Sequence, residues 1–193
     1  MNKKIGLFFG SFNPPHVGHF ALANYILNEG PVEEIWFVVS PQNPLKSPAQ
    51  LAPARTRLEM VRRAIGDFMF FKPCDIEFYL QPPHYTIFTL LHLEEKFPEH
   101  EFFLLIGMDN LQTFTRWKAY RTILDHYHLL VYPRKGYDGG KLLKESHVHV
   151  VEAPLIEISS SYIRHLIKER KEFRFFVPET VYQMIVEENL YRS

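Results

Sequence analysis

KIGLFFGSFNPPHVGHFALANYILNEGP, residues 4–31, decides the fold. Lys4–Phe9 is a short apolar run that stops at Gly10, and such a run reads as a buried strand. A turn of Ser, Asn and Pro follows. Val17–Asn28 then puts Leu22, Tyr25 and Ile26 on one helical face, with Gly30-Pro31 as the stop. Inside the turn, Gly10 and Gly18 let backbone approach a ligand or a helix closely, and Pro14 and Pro15 stiffen the path. His16 and His19 lie three apart, on one side of the helix start. The free N–H groups and partial positive charge of that helix end complete an anion site, with two imidazoles able to donate hydrogen bonds. The competing reading is a turn with two surface histidines. A metal site needs a third ligand, and His84 and His92 are distant in sequence.

Outward from this unit, strand and helix alternate. Strands are expected at Glu34–Ser40, Lys72–Phe78, Glu101–Gly107, Tyr127–Tyr132 and Val148–Glu152. Helices are expected at Ala54–Ile65, Tyr85–Phe97, Tyr120–Asp125, Ser160–Lys168 and Glu179–Glu188, the last with Pro178 at its first position. Pro41–Pro53, with four prolines, is a loop, and Lys46 is its one charged residue. Continuous apolar strands between helices argue for an α/β, Rossmann-like doubly wound parallel sheet with helices on both faces. Ligands in such folds bind beyond the carboxyl ends of the strands, so the segments after Gly10, Ser40, Gly107 and Tyr132 are the places to look.

The bulk properties narrow the class. The 193 residues are 46% hydrophobic and 15% aromatic, which fits a folded chain, and no linker or repeat divides residues 1–193. Lys plus Arg and Asp plus Glu are 22 each, a balance that argues against a coat for nucleic acid or anionic membrane. The lone cysteine, Cys74, excludes an intrachain disulfide and a thiolate zinc site, and fits a reducing compartment. No apolar run approaches the roughly 20 residues of a membrane helix. A cytoplasmic protein is expected.

A second segment, EISSSYIRHLI at 157–167, repeats the chemistry of the first. Ser159 or Ser160 can cap a helix, and Ile163, Leu166 and Ile167 mark its buried face. Arg164 then stands in the first turn, the wrong end for a cation facing the helix dipole. A bound anion would relieve that conflict, making hydroxyls, backbone N–H groups and one guanidinium a second phosphate clamp.

GSFNPPHVGH resembles the His-x-Gly-His signature of the nucleotidyltransferase superfamily, and ISSSYIR its Ile-Ser-Ser-Thr-x-Ile-Arg signature with Ser161 for Thr. Tyr85-Thr86, Gly107-Met108-Asp109, Trp117 and Phe176-Val177-Pro178 with Glu187-Glu188-Asn189-Leu190-Tyr191 resemble segments of one family, the nicotinate mononucleotide adenylyltransferases. Asn13, His84, Phe88 and Met108 stand where that family more often has Asp, Ser, Asp and Ala.

The resemblance implies a single nucleotidyltransferase domain that joins ATP to nicotinate mononucleotide, with magnesium accompanying the ATP, in NAD biosynthesis. It implies catalytic roles for His16, His19 and Arg164. ATP would be held by Gly10, Ser11, Phe12, Gly18, Gly107, Asp109, Ile158, Ser159, Ser160 and Ser161. Asn13, Lys46, Tyr85, Thr86 and Trp117 would meet the mononucleotide. Another adenylyl- or cytidylyltransferase, such as one acting on phosphopantetheine, and a non-catalytic nucleotide sensor are the alternatives. Neither nucleic acid nor membrane is an expected partner, and a homo-oligomer is left open.

Overall fold

A computed structural model describes residues 2–41 and 51–192. The opening strand, β1 (Lys3–Gly10), lies at the centre of a six-stranded sheet. On one side it pairs with β2 (Glu34–Val39), which pairs with β3 (Phe71–Cys74). On the other it pairs with β4 (His100–Gly107), followed by β5 (His128–Tyr132) and β6 (Val148–Val150). Every pairing is parallel, and the order is β3-β2-β1-β4-β5-β6. This is the doubly wound arrangement expected from the sequence. The winding reverses between β1 and β4, and a crevice opens beyond their carboxyl ends.

The period of two in the strands sorts the core into two layers. Ile5, Leu7, Trp36, Val38, Leu104 and Leu129 face one side. There they pack on α3 (Thr86–Lys96), α4 (Met108–Thr113) and α5 (Tyr120–His126) through Leu90, Leu93, Leu111 and Ile123. Phe8, Ile35, Phe37, Phe103 and Leu130 face the other, against α1 (Val17–Glu29) and α2 (Ala54–Ile65). A third cluster joins Met60 of α2 to α6 (Ser160–Lys168) and α7 (Glu179–Glu187), so the C-terminal helices are anchored on α2. At the amino end of the sheet, Glu34 sits among Lys3, Lys72 and the Trp36 indole N–H. Burial pushes its pKa up, but these donors outweigh that and hold it at about 2.

Most boundaries fall within a residue of the sequence expectation, and the larger differences lie at the edge strands of the sheet. The third strand ends at Cys74 rather than Phe78, and Ile76–Tyr79 forms a 3₁₀ turn. β3 is an edge strand whose pairing with β2 ends at Val38–Cys74, so nothing holds the chain extended beyond it. Ile76 and Glu77 turn inward instead and are buried. β6 stops at Val150 for the same edge reason. The helix α4 and the 3₁₀ turn Phe114–Arg116 were not expected; their periodicity is too short to read, and buried Leu111 and Phe114 fix them. Pro178 lies just before α7 rather than at its first position.

Candidate active site

Beyond the carboxyl ends of β1 and β4 lies a cleft of about 880 Å³. Its wall is built first from the turn that follows β1. Phe12 takes the left-handed conformation, with φ 45°, and its ring packs between Phe8, Phe37 and His19. That placement requires glycine at position 10, where a Cβ would come within 2.9 Å of the Phe12 ring. Arg57 of α2, fully buried, donates to the carbonyls of Ser11, Ser40, Pro41 and Ala52 at 2.6–2.9 Å. One guanidinium thus fixes the exits of both β1 and β2. Asn13, also buried, accepts the Ala52 N–H on Oδ1 at 3.0 Å.

The two sequence motifs meet at this turn. Arg164 Nη1 donates to the Asn13 carbonyl at 2.8 Å, and the Ser160 hydroxyl donates to the Pro14 carbonyl at 2.8 Å. Arg164 Nη2 reaches Ser161 Oγ at 3.3 Å. These contacts aim the start of α6 at the cleft, which Ser160, Ser161 and Arg164 all line. Ser159 is the cap of α6, accepting the Tyr162 N–H at 3.2 Å, and Ile158 packs on the C-terminal helical cluster. Neither Ser159 nor Ile158 lines the cleft.

The histidines are not equivalent. Their rings stack at 3.6 Å, but only His19 lines the cleft. The His16 backbone N–H donates to His19 Nδ1 at 3.1 Å. With Nδ1 an acceptor, the neutral His19 ring carries its proton on Nε2, as a donor. His16 is 5% exposed and faces a small adjoining space shared with Gly18, Ile158 and Arg134. Burial first, and Arg134 second, push its pKa down to about 4. Gly18 is needed for close approach: a Cβ there would lie 2.9 Å from Ile156 and 3.0 Å from the His16 ring.

β4 and β5 supply the opposite wall. Gly107 precedes α4, and a Cβ on it would fall 2.2 Å from Asp109 Oδ1. That oxygen is buried and lies 3.8 Å from Arg134 Nε, which follows β5. Both Asp109 and Arg134 line the cleft, as do Gly10, Ser11, Phe12 and Asn13. Tyr85, Thr86 and Trp117 line it too. Trp117 is half-buried, with its ring 4.8 Å from that of Phe114. Tyr85 precedes α3, and its own N–H is taken by the Pro83 carbonyl at 2.9 Å. The Phe88 N–H donates to the Tyr85 carbonyl at 2.9 Å, which leaves those of Thr86 and Ile87 as the first-turn donors at the start of α3. Lys46 falls outside the described residues. Among the described residues, no group of three His, Cys, Asp or Glu could hold a metal ion.

Two cleft-lining residues, Arg134 and Glu77, and the buried Arg57 behind the turn are among those that the sequence reading does not single out. Arg134 could have been found, because it follows a strand end that was already marked. Arg57 sits four residues before Val61, on the apolar stripe of α2, and a charge in that position was a signal. Glu77 was assigned to an extended strand, which hid its inward turn.

The cytidylyltransferase-like family model matches residues 7–166. A probable nicotinate-nucleotide adenylyltransferase of Flavobacterium johnsoniae is 44% identical over 192 residues, covering 98% of this chain and 100% of that protein. One of Cytophaga hutchinsonii is 46% identical over 190 residues, covering 98% and 99%. The nicotinic acid mononucleotide adenylyltransferase of Plasmodium falciparum, solved with NaAD, has the same fold, with a TM-score of 0.82 at 20% identity over 98% of this chain and 97% of that one. Sheet order, the joined motifs at β1 and α6, and these full-length matches agree: the chain belongs to the nicotinate-nucleotide adenylyltransferase family, within the cytidylyltransferase-like proteins.

Proposed function

We propose that residues 1–193 form one nucleotidyltransferase domain that transfers AMP from ATP to nicotinate mononucleotide, giving deamido-NAD and pyrophosphate in NAD biosynthesis. The observation that carries this is one cleft with two kinds of lining. Donors for phosphate (His19, Ser161 and Arg164) line it together with an aromatic ring, Trp117, and with Tyr85 and Thr86 at the start of α3. A phosphopantetheine acceptor has no planar ring for Trp117 to stack on, and the ring favours the pyridine reading.

The acceptor phosphate is ionised at neutral pH, so its oxygen attacks the α-phosphorus without a general base. A new P–O bond forms as the bond to the β-phosphate oxygen breaks, and pyrophosphate leaves with the electron pair. Catalysis is then positioning and charge stabilisation. In this reading His19 Nε2–H donates to oxygen on the reacting phosphate. Arg164, Ser161 and Arg134 hold the charge that moves onto the leaving group. His16 supports His19 from behind, and Asp109 accepts from ribose hydroxyls. Magnesium would come with ATP as part of the substrate, which fits described residues that include no cluster of three His, Cys, Asp or Glu for a metal ion.

Trp117 stacks on the pyridine ring, and the first N–H groups of α3 receive its carboxylate. A helix amino end favours an anion over a neutral amide by about 0.3–1 kcal/mol, so nicotinate mononucleotide is the better acceptor. No helix among the described residues is long and apolar enough to cross a membrane. A cytoplasmic setting goes with soluble, charged substrates and a buried free Cys74. Pyrophosphate release with ATP, magnesium and each mononucleotide tests the reading. A clear preference for the nicotinamide form refutes the carboxylate assignment, and release with neither refutes the activity.

A further inference from the structure

Glu77 lines the cleft and is only 2% exposed. Its Oε1 accepts the Thr89 hydroxyl at 3.0 Å. Thr89 stands three residues after Thr86, so the two share a face of α3 near its start. Glu77 Oε2 is buried and accepts no hydrogen bond of normal geometry, although the Ser40 hydroxyl also acts on this carboxyl. A buried oxygen without a well-formed hydrogen bond is costly and calls for an explanation. His84, Tyr85, Thr86 and Trp117 line the same cleft.

Resting on the activity proposed above, we infer that Glu77 is a specificity-determining residue whose buried carboxyl hydrogen-bonds the polar substituent of the pyridine ring. Protonated, it donates to a carboxylate. Ionised, it repels a carboxylate and accepts from a carboxamide. The selection between acid and amide is therefore set by one proton, in addition to the helix end.

The surroundings put that proton within reach. Burial pushes the pKa of Glu77 up to about 7, and the hydroxyls of Ser40 and Thr89 only partly oppose it. Its ionisable neighbours do not compensate. Cys74 on β3 is itself held up at about 11 by burial and stays a thiol. Asp75, two residues before Glu77, is another carboxyl and offers no positive charge. His84 is held below the usual imidazole value by burial, which opposes a positive charge there. The cleft cations Arg116, Lys118, Arg134 and Arg164 make no ion pair with it; Arg134 pairs with Asp109.

The test is the ratio of kcat/KM for nicotinate over nicotinamide mononucleotide, followed from about pH 6 to pH 8.5. The acceptor phosphate and every shared catalytic group cancel in this ratio. If the protonated form serves only the acid and the ionised form only the amide, the ratio follows the protonated-to-ionised quotient and falls about tenfold per pH unit throughout the range. At least a tenfold fall across the range is expected for the wild type. Glu77→Gln keeps the shape and the Thr89 contact and both donates and accepts, so its ratio should be flat to within about twofold.

A purely structural role would change kcat or stability in both assays without bending the ratio. Proton uptake on binding nicotinate mononucleotide near pH 7.5, from calorimetry in buffers of different ionisation enthalpy, gives a readout on the wild type alone. A fraction of a proton more than with nicotinamide mononucleotide is expected. A flat wild-type ratio, equal uptake with both ligands, or an unaltered slope in Glu77→Gln overturns the inference while turnover on the acid leaves the activity standing. Turnover on neither mononucleotide overturns both.

Discussion

Removing the Arg57 guanidinium should unlock the phosphate turn and the exit of β2 together. Its Nε and two Nη atoms donate to four backbone carbonyls, at Ser11, Ser40, Pro41 and Ala52, from a side chain with no exposure. Burial lowers its pKa, yet a guanidinium remains charged. Arg57→Met keeps the apolar stem and deletes every donor. Each buried acceptor left unmade costs about 1–3 kcal/mol. Ser40 and Ser11 border the open cleft, where water can replace part of the loss, so about 3–6 kcal/mol is expected rather than the full sum. Folded domains hold about 5–15 kcal/mol in total, so the variant should fold marginally. A melting temperature lower by roughly 10–20 °C follows for a chain of this size. Urea unfolding of wild type, Arg57→Met and Arg57→Lys measures the loss directly. Lysine offers three donors from a single point and should recover less than half. Stability of Arg57→Met within about 1 kcal/mol of wild type would refute the view that this side chain organises the turn.

His19→Ala should lower kcat by roughly 10²–10³ with little change in KM for ATP, measured in single-turnover adenylyl transfer; a near-normal rate places the imidazole away from the reacting phosphate. Trp117→Ala should raise KM for the mononucleotide about tenfold or more, in line with about 1–3 kcal/mol for a base stacked on an aromatic ring, and leave KM for ATP near its original value. His16, ordinarily near 6.5 and here about 4, binds fewer protons folded than unfolded. Its stabilising contribution is whole above about pH 6.5 and is lost as pH falls towards 4, by about 3 kcal/mol in order of magnitude. Unfolding of His16→Gln across that window should show a flatter dependence than wild type, and an unchanged slope would mean that another group titrates there.

Where periodicity is long, the sequence was enough. β1, β2, β4, α1, α2 and α6 lie within a residue or two of their expected bounds because each carries a repeated apolar signal that the core then uses. Legibility failed where a partner ends. Nothing in Lys72–Phe78 reveals that β2 runs out opposite Cys74, so the inward turn at Ile76 and Glu77 is a property of the edge and not of the segment. The short α4 lies below the length at which a helical period can be seen. At the phosphate turn the residue types were visible but their division of labour was not. The stack that puts His16 behind His19 depends on Gly18 allowing close packing against Ile156, and that neighbour is far along the chain.

The same division explains how a cleft for two polyanions is charged. Two histidines in the turn suggest imidazolium, but burial keeps His16 neutral, and the His19 Nδ1 contact sets that ring as a neutral Nε2–H donor. The positive charge comes instead from side chains of other segments, among them Arg134, which pairs with Asp109, and Arg164, which donates to the Asn13 carbonyl of the turn. Permanent guanidinium charge does not vary between pH 6 and 8, whereas histidine charge would. Phosphate binding should therefore be nearly independent of pH in that range once the substrates are ionised. A buried carboxyl at the acceptor end, Glu77, is then free to impose a pH dependence on which acceptor is chosen without altering the hold on ATP.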